Sequence, residues 1–141
     1  MAPTPGLLYV LSKINDPKLT EDKYNDWYSN HHIQHVVDGG VADLAIRYKN
    51  TKADAKWPYL CIYRVPDLAV LSNEKQVTAI PTTHELLPDG KQWMEVLETD
   101  RIGLALIQKY EGLVPKEGKY SISIYVKSPD ECFYLSLVCI A

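Results

Sequence analysis

Apolar and polar positions alternate along this chain in two rhythms, one of period two and one of helical period. Gly6–Ile14, GLLYVLSKI, is a short apolar run that Asn15-Asp16-Pro17 breaks, and it predicts a buried strand. Thr20 stands as a helix N-cap, with Glu21 and Asp22 where acidic side chains meet the helix dipole favourably. From there Tyr24, Trp27, Tyr28 and His31 recur at i, i+3, i+4 and i+7, so a helix is expected to about Val37. Asp38-Gly39-Gly40 stops it, because glycine enters the left-handed C-terminal conformation at little cost.

Val41–Tyr48 predicts a second strand, with Leu44, Ile46 and Tyr48 alternating against Ala45 and Arg47. Beyond the polar stretch Lys49–Lys56, the run Pro58–Val65 predicts a third strand, apolar on both faces except for Arg64. A second helix is expected from Pro66-Asp67 through Leu68, Leu71 and Val77 to near Pro81. Pro81–Gly90 is irregular, and Gln92–Leu97 is a helical turn. Ile102–Tyr110 predicts a fourth strand. Lys116-Glu-Gly118 reads as a turn, and Lys119–Lys127 and Phe133–Ile140 read as two last strands parted by Ser128-Pro129-Asp130.

This order is the βαββαβ pattern of an α+β, ferredoxin-like domain with extra C-terminal strands, and one domain covers residues 1–141. Two helices cover one face of a sheet, yet strands one, three and four are apolar on both faces. A second copy of the chain is the economical cover, so a homodimer is expected, its sheets facing one another around an enclosed space. The competing arrangement folds the C-terminal strands back over that face within one chain.

Composition narrows the setting. A length of 141 residues with 46% hydrophobic content supports a real core without staples. A net charge of −3 argues against nucleic acid and anionic membrane surfaces as partners. The three cysteines, Cys61, Cys132 and Cys139, have no CxxC spacing, which fits a reducing compartment. The start lacks a basic segment and a signal-length apolar run, and nothing approaches the roughly 20 apolar residues of a membrane span. A soluble, cytoplasmic chain is expected. Ten tyrosines against one phenylalanine favour half-polar cavities or interfaces, with compositional drift the plainer account.

Candidate chemistry is sparse. His31 and His35 are one helical turn apart, a spacing that can hold a metal, but no full ligand set accompanies them and no metal is expected. A helical wheel groups His32 with Tyr24 and Tyr28, where an imidazole near the helix C-terminus would exchange protons at physiological pH; capping of terminal carbonyls is the alternative. Arg47 and Arg64 on neighbouring strands can bind an anionic oxygen of a substrate, or pair with Asp43 and Asp67. Tyr9, Tyr48, Tyr59 and Tyr63 lie on strands and would lend phenols to an apolar cavity. Cys61 reads as a small core residue, and His84 as a residue at a pocket mouth or on the plain surface. No GxGxxG, P-loop or GxSxG motif is present, which lowers the weight of dinucleotide, ATP and serine-hydrolase chemistry.

Gly6-Leu-Leu-Tyr-Val10, Trp27-Tyr28 with Asn30-His31-His32-Ile33, Ile46-Arg47-Tyr48-Lys49, Pro58–Tyr63 and Asp67-Leu68 form an ordered series. It resembles the fungal EthD-domain-like proteins of the dimeric α+β barrel superfamily, over roughly Gly6 to Glu111. The resemblance implies a homodimer and places His32 on the family's recurring histidine. Two departures stand out: His31 occupies the place of the family's glutamate, and Gln34 that of its proline. Members of the superfamily include cofactor-independent cyclases, decarboxylases and oxygenases, haem-degrading enzymes and proteins without known chemistry.

The expectation is therefore a cofactor-independent enzyme of secondary metabolism that cyclises, dehydrates or isomerises a hydrophobic polyketide-type metabolite. His32 would be the acid/base, Tyr48 a carbonyl-polarising phenol and Arg47 a partner for enolate charge. Tyr9, Tyr28, Tyr63, Arg64 and His84 would bind substrate. Decarboxylation of an aromatic or polyketide acid, or non-catalytic binding of a small molecule, are the rival expectations.

Overall fold

The computed structural model describes residues 1–109 in full and the backbone of two further strands, Tyr120–Lys127 and Cys132–Cys139. The chain divides into two units, residues 1–107 and 108–141. The first unit is an α+β layer built on four antiparallel strands: β1 (Gly6–Ile14), β2 (Leu44–Lys49), β3 (Tyr59–Val65) and β4 (Leu97–Ala105). They lie in the order β2-β3-β1-β4, an arrangement compatible with a ferredoxin-like fold. In the second unit, β5 (Tyr120–Lys127) and β6 (Cys132–Cys139) form an antiparallel pair with Tyr120 opposite Cys139. The expected turns at Lys116–Gly118 and Ser128–Asp130 lie outside the described residues, whereas the fourth strand, expected to reach Tyr110, ends at Ala105. Among the described residues, no helix is long and apolar enough to cross a membrane.

The first helical segment begins as its sequence dictates. The Thr20 hydroxyl accepts from the Lys23 amide, and Glu21 and Asp22 occupy the first turn of α1 (Glu21–Trp27). The helix then widens through one π-helical turn, Tyr28–His32, where the Ile33 amide donates to the Tyr28 carbonyl, before continuing as α2 (Ile33–Asp38). Gly40, at φ 71°, ends it. The Val41 amide reaches back to the Val36 carbonyl and the Gly40 amide to that of Val37, closing the last turn in a Schellman motif.

Register sorts the sheet into two faces. Tyr63 stands beside Leu8 and Ala45, and Cys61 beside Val10 and Arg47; these rows lie under the helices. Tyr9 aligns with Ile62 and Ile102, and Tyr48 with Leu60, on the opposite face. The helical face carries the core: Tyr24, Trp27, Tyr28 and Val36 pack onto Val10, Tyr59, Cys61, Tyr63 and Val65. Tyr24 is fully buried, with its hydroxyl 2.8 Å from Ser12 Oγ and its ring 4.6 Å from that of Tyr59. A buried phenol with a partner fits such a site better than phenylalanine, which would leave Ser12 unmatched.

Three elements differ from expectation. The fourth strand starts at Leu97, not Ile102, directly after the short helix α4 (Trp93–Val96). It is an edge strand, so the polar run Glu98–Arg101 is tolerated where an interior strand would exclude it. The second helix is two short pieces, a 3₁₀ turn Leu68–Ser72 and α3 (Glu74–Thr78). Asn73 splits them because its side chain caps the Gln76 amide instead of continuing the turn. The second strand begins at Leu44, because Val41 and Ala42 are buried in the chain reversal after α2.

Candidate active site

A cavity of about 610 Å³ opens between the helices and the helical face of the sheet. Its floor comes from Leu8 and Val10 of β1 and Tyr63 of β3, one side from Trp27, Tyr28, His32 and Val36. Leu71, Val77 and Ile80 close another side, and Trp93, Met94, Leu97, Thr99 and Arg101 complete the wall. The volume suits a small molecule of several rings, and no carboxylate is among the lining residues. The cavity thus lies beneath the helices, on the sheet face away from the one where the sequence argument set an enclosed chamber.

The π-turn is what aims His32. Residues five apart on a regular α-helix point well away from each other, whereas a turn with an extra residue brings them back toward one side. His32 accordingly stacks on Trp27, with ring centres 4.9 Å apart and planes at 29°. Tyr28 meets the imidazole edge-on at 5.1 Å, and Trp93 closes over it at 5.9 Å. The helical wheel had grouped His32 with Tyr24; the widened turn replaces that neighbour with Trp27.

Among the described residues no side chain hydrogen-bonds the His32 ring, while the ring itself faces the cavity. Burial among aromatic rings lowers its pKa to about 4, helped by repulsion from His35 and Arg47. The sequence suggested proton exchange at physiological pH near a helix C-terminus; the ring sits instead in mid-helix, where desolvation lowers its pKa. At neutral pH His32 is a proton acceptor.

Beside it, the Tyr63 hydroxyl donates to that of Tyr28 at 3.2 Å. Both phenols are 3% exposed or less, and burial holds both pKa values well above the ordinary tyrosine value. They remain neutral donors. The Cys61 thiol next to them is pushed up to about 11 by burial, so it is a packed thiol and no nucleophile.

Arg47 lies outside the cavity lining. Its guanidinium donates to Ser29 Oγ at 2.6 Å and Asn25 Oδ1 at 2.9 Å, and it sits 4.4 Å from the centre of the Tyr28 ring. It ties β2 to the helix and supports Tyr28 from behind. Arg64 also lies away from the cavity, because its Nε donates to Asp43 at 2.7 Å at the sheet rim. Tyr48 and Tyr9 project from the opposite sheet face, as the period of a strand requires. Tyr9 is buried there, and its hydroxyl has no hydrogen-bond partner among the described residues. His84 does not reach the cavity: Nδ1 accepts from the Leu86 amide, and its ring lies 4.3 Å from that of His31. Among the described residues, no three His, Cys, Asp or Glu side chains converge as a metal would require. Of the eight residues expected at the site, the cavity gathers His32, Tyr28 and Tyr63.

Trp93 and Arg101 are lining residues that the sequence reading passed over. Trp93 had a visible cue, the Gln92-x-x-Glu95 capping box that starts α4. Arg101 had a weaker one: Leu97, Thr99 and Arg101 share one face once the strand begins at Leu97.

No family model matches the chain, and no solved structure matches it. Over 82 residues it is 46% identical to Core atranone cluster (CAC) protein 1 of Stachybotrys chlorohalonatus (strain IBT 40285). That match covers 58% of this chain and 35% of the relative's length, so the chain is similar to about a third of that fungal cluster protein.

Proposed function

We propose that this chain is a cofactor-independent enzyme of fungal secondary metabolism that cyclises, dehydrates or isomerises a hydrophobic, oxygenated polyketide-type intermediate. One observation carries the reading: a neutral histidine, without a protein hydrogen-bond partner among the described residues, faces an aromatic cavity of small-molecule size. The relative named for the atranone cluster supports the metabolic setting. The EthD-like resemblance supports the same setting and the homodimer, which would use the exposed apolar rows opposite the helices.

In this mechanism His32 takes a proton from carbon next to a carbonyl, and Tyr28 donates a hydrogen bond to the oxygen that gains charge. The enolate carbon then attacks a second carbonyl of the same molecule, forming one carbon–carbon bond. The proton held on His32 passes to the new alkoxide. The product is an isomer of the substrate, or that isomer less water if the alcohol is eliminated. A substrate folded within the cavity meets its own electrophile at close range, which supplies part of the rate.

Deleting the gene for this chain should cause the intermediate to accumulate, and purified protein should convert it without added cofactor. A product of unchanged mass, or one lighter by water, supports the reading. Loss of carbon dioxide would replace it with decarboxylation, in which an arginine holds the carboxylate and protonated His32 returns a proton to the carbanion. Tight binding without conversion would make the chain a carrier.

A further inference from the structure

We propose that Arg101 anchors an anionic group of the ligand, so that the cavity selects molecules with an apolar body and a carboxylate or similar anion at one end. The inference rests on the reading of the helix-side cavity as the binding site and adds the charge of its ligand. Arg101 follows Thr99 along β4 on the face that lines the cavity, opposite Val10 of β1. Its guanidinium carbon lies 5.9 Å from the Trp93 ring centre, and the His32 ring lies 5.9 Å from that same ring. Trp93 therefore links the cation and the base along one wall.

The charge on Arg101 is not neutralised by the protein among the described residues. Lys13, Lys18, Lys49, Arg64 and Lys91 each hold a carboxylate, and Arg47 is bound to Ser29 and Asn25. Asp100 aligns with Leu11 on the other sheet face, and Glu98 is taken by Lys13 at 2.7 Å. No acid lines the cavity. Arg101 is solvent-exposed, which keeps its charge inexpensive and its five donors open to an incoming anion. A ligand that laid its apolar part against Trp93 would bring its anion to a guanidinium already held by the ring face.

Two fluorescent probes that share one apolar body test this: anilinonaphthalene sulfonate, which is anionic, and phenylnaphthylamine, which lacks the sulfonate. Affinities are measured for the wild-type chain, Arg101→Gln, Arg101→Lys and the cavity-filling Thr82→Trp. Arg101→Gln should weaken the sulfonate probe about tenfold and leave the neutral probe within about twofold, and added salt should shrink that difference. Arg101→Lys should keep part of the preference. Thr82→Trp should weaken both probes. If Arg101→Gln changes neither probe, or both alike, while Thr82→Trp still blocks them, the anchor is wrong and the cavity reading stands. If Thr82→Trp leaves the neutral probe unaffected, the cavity reading itself fails and the anchor fails with it.

Discussion

His32 is surrounded by groups that all disfavour a charge on it: Trp27, Tyr28 and Trp93 displace water, and Arg47 and His35 add repulsion. Its pKa near 4 in the folded chain lies below the 6.5 of an ordinary histidine. Between these values the unfolded chain binds the extra proton and the folded chain does not, so stability rises with pH across that window. Stability from this residue is fully present above about pH 6.5 and is lost as pH falls toward 4. Following the imidazole signals by NMR should give a midpoint near 4 for His32, and His32→Asn should flatten the stability slope between pH 4 and 6.5. A midpoint close to 6.5 would mean that the ring is solvated and does not sit within the aromatic wall of the cavity.

At the scale of elements, the π-turn is the feature on which the site depends. The Tyr28–His32 turn carries one residue more than an α-helical turn, and that residue sets the rotation of α2 against α1. Deleting Asn30, an exposed residue whose amide group reaches only Asp26, should restore α-helical phase. Trp27 and His32 would then stand four apart on one face of a regular helix, so helical content by circular dichroism should persist and phenylnaphthylamine binding should stay within about twofold. A loss of binding of about tenfold would show that the extra residue itself, and not the pairing of His32 with Trp27, shapes the cavity.

The same turn shows why the sequence disclosed some features and withheld others. β1 and β3 were legible from apolar runs with clear breakers, and the first helix from Thr20 and from Gly39-Gly40. A helical wheel assumes one period, however, so it could group His32 with Tyr28 but could not bring it to Trp27. β4 was misplaced because four polar residues at a sheet edge look like a loop until their partner strand is known. Arg101 was lost with them. Arg47 and Tyr48, adjacent in β2, show a second limit: alternation places them on opposite faces, but not which face the helices cover. That choice decides which tyrosines meet the cavity.

At the scale of the molecule, the sheet has a helical face that holds the cavity and a second face with a different character. There Leu44, Ile46, Ile102 and Leu104 remain 37–43% exposed. Such rows suit association with a second copy, and the proposed homodimer should sediment at twice the chain mass at micromolar concentration. Ile46→Lys should shift it toward the monomer while leaving phenylnaphthylamine binding unchanged, since that residue is on the face away from the cavity. A wild-type chain that sediments as a monomer would contradict the dimer without touching the site.

If neutral His32 is the base of the helix-side cavity, turnover depends on it. The rate at which purified chain converts the intermediate accumulated in the deletion strain, wild type against His32→Asn, tests it most directly. A positioned general base contributes about 10²–10⁴-fold, so the variant should lose at least about a hundredfold in kcat/KM. The wild-type rate should fall as pH drops through about 4, where the base becomes protonated. A His32→Asn chain that converts the intermediate at the wild-type rate would remove His32 from the chemistry.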